Sequence, residues 1–501
     1  METSFLQLPP MGKHIGHQPA QIRAVPTYRK GQPLVGTYYF YWYDVNTGEH
    51  FIDHDGTDAL TTHPANPVGY SYRSPDWHRR EMADILRAGI DFILPVYWGC
   101  PTDRQPGKML YWSFEGLEAL VKAQEKMVSE RRRPPRIGLF YDTSTLQWNA
   151  DRYHADLTTR EGREWFYVSI RDFFSMVPPK LWAMLDHRPI VFLYGAGFAK
   201  DYNQQAIDFV YEQFEKDFGC RPYIVREVSW SRVQTDSEYG WGGALNPIIL
   251  DVAAIGPGYD HSAVPGRAPL VRDREGGKFF DRSWETILRM NPARRPSIVM
   301  IETWNEFHEG TDIAPSREYG DQYVRMNARF AQMFKRRMRL RPQGGYRSAR
   351  EVSVVLEREL ISRGIRLNVH PNGDGLMEPA EVNGVAAWRT LPNRHHSMRY
   401  AYFDVDDSFY YDDDFPVQVE VELWDSEGTF SIEYDSADAA GSVRHGAFKP
   451  TQTFTLNNSK QWRIFRTTLR DARFVNRANG ADFRLGTAQE LYIRRVTVRK
   501  L

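Results

Sequence analysis

Cysteine is nearly missing from this chain: Cys100 and Cys220 are the only two in 501 residues. That is too few for a disulfide framework or a thiolate zinc site, and two buried free thiols are expected. A charge excess is missing too, since 64 Lys and Arg balance 64 Asp and Glu. Without a basic surplus the chain lacks the electrostatic footprint of a nucleic-acid binder. No run reaches the roughly 18–20 apolar residues that span a bilayer. Residues 1–21 have no basic start followed by an apolar core, so no signal peptide is expected. The expectation is a soluble protein, cytoplasmic or secreted with its signal removed, without membrane or nucleic-acid partners. Oligomeric state is left open. No Gly-rich phosphate loop opens a helix and no HExxH occurs, so neither a cofactor nor a metal is expected.

Aromatic residues are plentiful, at 14% of the chain, within an otherwise ordinary globular composition of 42% hydrophobic and 26% charged residues. Flat, rigid side chains with polar edges suit a core and a sugar-binding groove alike.

From residue 34 onward, short apolar runs alternate with helical patterns. Strands are expected at 34–42, 90–97, 137–141, 189–194, 223–228, 248–255 and 297–302, with an eighth in 162–185 or 237–245. Helices are expected at 74–88, with Asp76 as N-cap, and at 115–130, 204–218, 280–290 and 319–338. Such alternation favours an α/β fold, a (β/α)₈ TIM barrel, over residues 20–340. After the Pro- and Gly-containing basic stretch 339–350 the pattern changes to strict alternation at 415–424, 429–434 and 491–498. Short strands between turn residues indicate an all-β, jelly-roll-like sandwich over 350–501, an accessory domain suited to binding carbohydrate.

The most informative stretch is 297–312, SIVMIETWNEFHEGTD, where an apolar strand runs into Glu302, Trp304, Asn305, Glu306, His308 and Glu309. Barrel active sites lie at the C-terminal ends of strands. Glu306 and Glu309, three positions apart, can both face the barrel mouth. Trp304 and Phe307 would exclude water and raise the pKa of one acid, while Asn305 and His308 hydrogen-bond the other. One protonated and one ionised carboxyl is what glycoside hydrolysis requires.

WNEFHEGTDI at 304–313 resembles the WNEWHEGTQIE signature of glycoside hydrolase family 99, the endo-α-mannosidase family of (β/α)₈ barrels. IGPGYD at 255–260 is similar to that family's VGPGY segment, and YYFYWY at 38–43 to its aromatic first strand. The resemblance covers the barrel alone. It implies a retaining hydrolase of α-linked oligo- or polysaccharides. Glu309 would be the general acid/base, and Glu306 the base on the substrate's own 2-hydroxyl, by way of a 1,2-anhydro sugar. Tyr259 matches a tyrosine beside the cleaved centre. Phe307 replaces the signature Trp, Ala314 stands where the family has an acid, and Asp142 stands where a family Glu aligns. These departures touch substrate contacts rather than the two acids. Two other readings remain: a non-catalytic glycan-binding protein, and a retaining glycosidase of different sugar specificity with a carboxylate nucleophile.

Trp98, Tyr97 beside it, and Tyr41 or Tyr43 are further candidates for stacking on sugar. His50, Asp53, His54, Asp55, Asp58 and His63 are expected to form a polar rim rather than a metal site. In the second domain Trp388, Tyr410, Tyr411, Trp424 and Trp462 are candidates for a sugar-binding surface. The acids Asp404, Asp406, Asp407 and 412–414 are expected to form a solvated loop, with calcium ligation the sharper alternative.

Overall fold

The computed structural model describes residues 4–370, 373–393, 397–441 and 445–501. The chain divides into two compact units, Met1–Trp284 with Pro296–Met338, and Glu285–Arg295 with Arg339–Leu501.

Among the described residues the barrel of the first unit is built on eight parallel strands: β1 (Leu34–Tyr39), β2 (Phe92–Tyr97), β3 (Leu139–Tyr141, with Arg136–Ile137 just before it), β4 (Arg188–Leu193), β5 (Tyr223–Glu227), β6 (Ser237–Tyr239), β7 (Val252–Ile255) and β8 (Ile298–Ile301). They pair in the order β6-β5-β4-β3-β2-β1-β8-β7. β7 and β6 lie side by side, although among the described residues no ladder joins them. This is a (β/α)₈-type barrel with one loosely closed seam. All six residues of β1 and of β2 are buried, as strands covered on both faces must be. Aromatics fill the interior, with Tyr38 packed edge-on against Phe140 at 4.8 Å.

Helices α1 (Pro75–Arg87), α2 (Trp112–Ser129), α3 (Arg160–Met176), α4 (Gln204–Phe218), α5 (Lys278–Arg289) and α6 (Gln322–Lys335) alternate with the strands, except around β6. The cap of α1 corrects the sequence expectation. Ser74, not Asp76, accepts from the Trp77 amide at 3.2 Å, because Pro75 takes the first helical position. The eighth strand is β6, and most of 162–185 is helical. The run 248–255 is not one strand, because Ile248–Ile249 folds back antiparallel on β7. Of the two free thiols Cys100 is buried, but Cys220 is partly exposed.

The second unit is a sandwich of two antiparallel sheets. Along Val417–Trp424 buried Val417, Val419, Val421 and Leu423 alternate with half-exposed Gln418, Glu420 and Glu422. Tyr410 and Tyr411 are buried, so they are not available as a sugar surface, and Trp424 packs against Trp462 at 5.6 Å. The acidic loop is taken up by arginines: Arg366 pairs with Asp404 at 2.5 Å and Arg294 with Asp412 at 3.0 Å. Among the described residues no three His, Cys, Asp or Glu side chains are grouped to hold a metal, and no helix is long and apolar enough to cross a membrane.

Candidate active site

The segment after β8 is tied down by side chains that sequence reading had placed in the pocket. Asn305 accepts from the Phe40 amide at 2.8 Å and donates to the Phe40 carbonyl at 2.7 Å. This clamp fastens the turn to the end of β1 and leaves Asn305 fully buried. Trp304 is buried as well, its indole N–H donating to Glu81 at 2.6 Å, away from the mouth. Phe307 packs against Tyr43 at 5.7 Å. Tyr41 turns outward from the barrel axis, with its hydroxyl 2.8 Å from Ser113 Oγ. None of these four lines the pocket. The cause is strand phase: alternation sends Phe40 and Trp42 inward where Tyr41 and Tyr43 were expected.

With those anchors set, Glu306, His308 and Glu309 point into a cavity of about 820 Å³. Tyr259, Asp142 and Trp98 line the same cavity, as do His50 and Asp53 from the loop after β1. The volume lies within the range of small-molecule sites, on the order of 300–1,000 Å³. Two aromatic groups wall it. Trp42 stacks on His50 at 4.6 Å with 3° between the planes. Across the mouth, Trp241 stacks on Phe140 at 5.6 Å and meets Tyr194 edge-on at 5.4 Å.

The two acids differ in setting. The Glu306 side chain is 4% exposed and accepts from His308 Nδ1 at 2.7 Å and from the His308 amide at 3.0 Å. Burial pushes its pKa up, against the pull of the His308 charge. Burial also opposes charge on His308, but the Glu306 carboxylate outweighs it and raises the imidazole pKa. Water exclusion thus falls on Glu306. Glu309 is 21% exposed, and its carboxylate pairs with Arg267 at 2.6 Å. Burial and the neighbouring Glu309 carboxylate together raise the Tyr259 phenol pKa, and that hydroxyl lies 2.9 Å from His261 Nδ1.

Besides Asp53, the carboxyls of Asp142 and Glu302 face the cavity. Asp142, held by the Ser144 amide at 3.1 Å, is lifted by burial to about 6. Glu302, absent from the sequence-based candidates, accepts from the amides of Gly242 at 3.0 Å and Ala244 at 3.4 Å. Its pKa is raised to about 8 by burial. Its place at the end of an apolar strand was a usable signal. Arg267 offered none, because the loop 261–270 has no periodicity to place it. Neutral His50, its pKa lowered by burial to about 3, completes the rim.

Fold and site together define a (β/α)₈ barrel whose mouth gathers carboxyls between aromatic walls. The chain matches the family described as Domain of unknown function (DUF5010) over residues 20–344, and it belongs to that family. A glycoprotein endo-alpha-1,2-mannosidase-like protein of Homo sapiens is 34% identical over 101 residues, 17% of this chain and 21% of the relative. The protein of the same description from Mus musculus is 32% identical over 96 residues, 18% of this chain and 20% of the relative. The chain thus spans about a fifth of the length of these curated relatives. A solved structure, the GH99 endo-alpha-mannosidase from Bacteroides thetaiotaomicron, is 15% identical, covering 60% of this chain and 98% of its own, with a TM-score of 0.44.

Proposed function

We propose that the protein is a retaining glycoside hydrolase acting on an α-linked oligo- or polysaccharide, with Glu309 as general acid/base and Glu306 as base. The observation that carries this reading is the projection of both carboxyls into one aromatic-walled cavity at the barrel mouth. The curated relatives named for endo-alpha-1,2-mannosidase activity support the same class of substrate.

In the first step Glu309 gives its proton to the glycosidic oxygen as the bond from C1 to that oxygen breaks. Glu306 takes the proton of the 2-hydroxyl, whose oxygen closes on C1. Water then opens the 1,2-anhydro ring, giving a proton to Glu309 while Glu306 returns one to O2. Two inversions at C1 leave its configuration retained. A buried Glu306 is a stronger base than an exposed one, and His308 keeps it oriented. Trp98 and Asp142 would contact the sugar, with Tyr259 beside the acid/base. Trp304, Asn305 and Tyr41 hold the frame from behind. The sandwich is proposed as an accessory domain that binds glycan.

The ion pair between Arg267 and Glu309 favours a second reading, in which the barrel binds glycans without cutting them. A panel of α-linked glycans separates the two. Product from the wild type, lost by about 10²–10⁴-fold in Glu309→Gln, supports hydrolysis. Binding with no product from any glycan, or an unchanged rate in Glu309→Gln, overturns it.

A further inference from the structure

We propose that residues 261–270 form a latch on the acid/base carboxylate, closed through Arg267 in the free protein and opened when sugar fills the pocket. The inference rests on the assignment of Glu309 made above. The latch springs from a short hairpin in which Tyr259–Asp260 pairs with Val271–Arg272. Its foot is fixed, since the Asp260 amide donates to the carbonyl of Glu309 itself at 2.8 Å. His261 braces the turn, with Nδ1 2.9 Å from the Tyr259 hydroxyl and Nε2 2.7 Å from the Ala268 carbonyl. Beyond that brace the tip is largely exposed. From the tip Arg267 reaches back to close the 2.6 Å ion pair with Glu309.

This contact conflicts with the first step of hydrolysis. A carboxylate oxygen engaged by a guanidinium is not free to reach the glycosidic oxygen. The groups facing Glu309 are Arg267 and Tyr259 from the hairpin, Glu302, Glu306 and His308 from the segment after β8, and Tyr194 from the end of β4. Arg267 is the one that pairs with it as a cation. Val264 and Pro265 of the same tip line the cavity together with Glu309, so a sugar that fills it touches the tip. The Arg267 side chain is 49% exposed, and an ion pair so open to water is a weak hold that ligand contacts can replace. Arg267 is therefore a positioning residue: it parks the acid/base while the site is empty and leaves once the site is filled.

Two measurements on the full chain test this. Hydrogen exchange of amides 262–268 is compared between wild type and Arg267→Met. Faster exchange in the variant is expected, and equal exchange overturns the latch whatever the substrate proves to be. Kinetics then read the displacement, because kcat/KM reports the free protein and kcat the complex. In Arg267→Met, kcat/KM should rise several-fold while kcat stays put, because only the free protein carries the ion pair. Arg267→Lys should restore the wild-type behaviour. A parallel change in kcat/KM and kcat, or a change in neither, means that Arg267 does not leave and overturns the proposal. A wild type inactive on every glycan, with exchange still accelerated in Arg267→Met, would sink the hydrolase reading and leave the latch standing.

Discussion

Glu306 and Glu309 are three residues apart, yet one is buried beside an imidazole and the other, more exposed, pairs with a guanidinium. Residue chemistry follows from those neighbours. Replacing His308 with Ala removes a 2.7 Å bond to a buried carboxyl and should lower kcat by roughly 10². Circular dichroism should be unchanged, and an unaltered kcat would show that the imidazole does not support Glu306. Trp148 is a different case, a pocket-lining aromatic that is 57% exposed. Such a side chain contributes little to folding and much to stacking a sugar. Trp148→Ala should raise KM several-fold with a melting temperature nearly that of the wild type. A melting point lowered by many degrees would assign Trp148 to the core instead.

At the scale of elements, the pocket depends on how β8 meets β1 on one side and β7 on the other. Asn305 satisfies both backbone groups of Phe40 where β1 leaves the barrel. Asn305→Ala would strand those buried groups and should cost about 2–4 kcal/mol in urea unfolding. A loss below about 0.5 kcal/mol would mean that water takes over both bonds. Gly256, just past β7, allows the closest approach, since a Cβ there would stand 2.2 Å from the Glu302 carbonyl oxygen. Gly256→Ala must push β7 from β8, so activity should fall along with stability. Wild-type activity in that variant would show that the two strands need not touch.

Across the whole molecule, buried carboxyls give stability a pH slope. Burial raises Glu302 to about 8 and Glu81 to about 7. A raised carboxyl pKa means stability that is whole below the unfolded value near 4.5 and lost as pH rises through the folded value. His50 and His78, both lowered by burial to about 3, work oppositely: their stability is present above about 6.5 and lost on acidification. Above pH 6.5 the histidine contributions are constant and the carboxyl contributions decline. Stability should therefore fall by about 2 kcal/mol between pH 6.5 and 8.5. Thermal melts across that range check this, and Glu302→Gln should flatten the slope.

Much of the architecture was legible because period and burial are local properties. Gln204–Phe218 was readable as a helix to the residue, and the alternation of Val417–Trp424 marks a half-buried strand without further information. The motif after β8 likewise declared Glu306 and Glu309, since carboxyls just past an apolar strand point at a barrel mouth. Where side chains aim was not legible. Strand phase, set by the barrel's closure, turned Tyr41 outward and brought Phe40 and Trp42 in. The backbone's need for partners at the end of β1 drew Asn305 away from the pocket. Arg267 became visible only when a hairpin folded a loop without periodicity back over Glu309. By itself, then, the sequence determined the elements, their order and which carboxyls end a strand, because these depend on near neighbours in the chain. Only the tertiary structure decided which side chains share the cavity and in what charge state, because those depend on groups brought from distant parts of the chain to one mouth of the barrel.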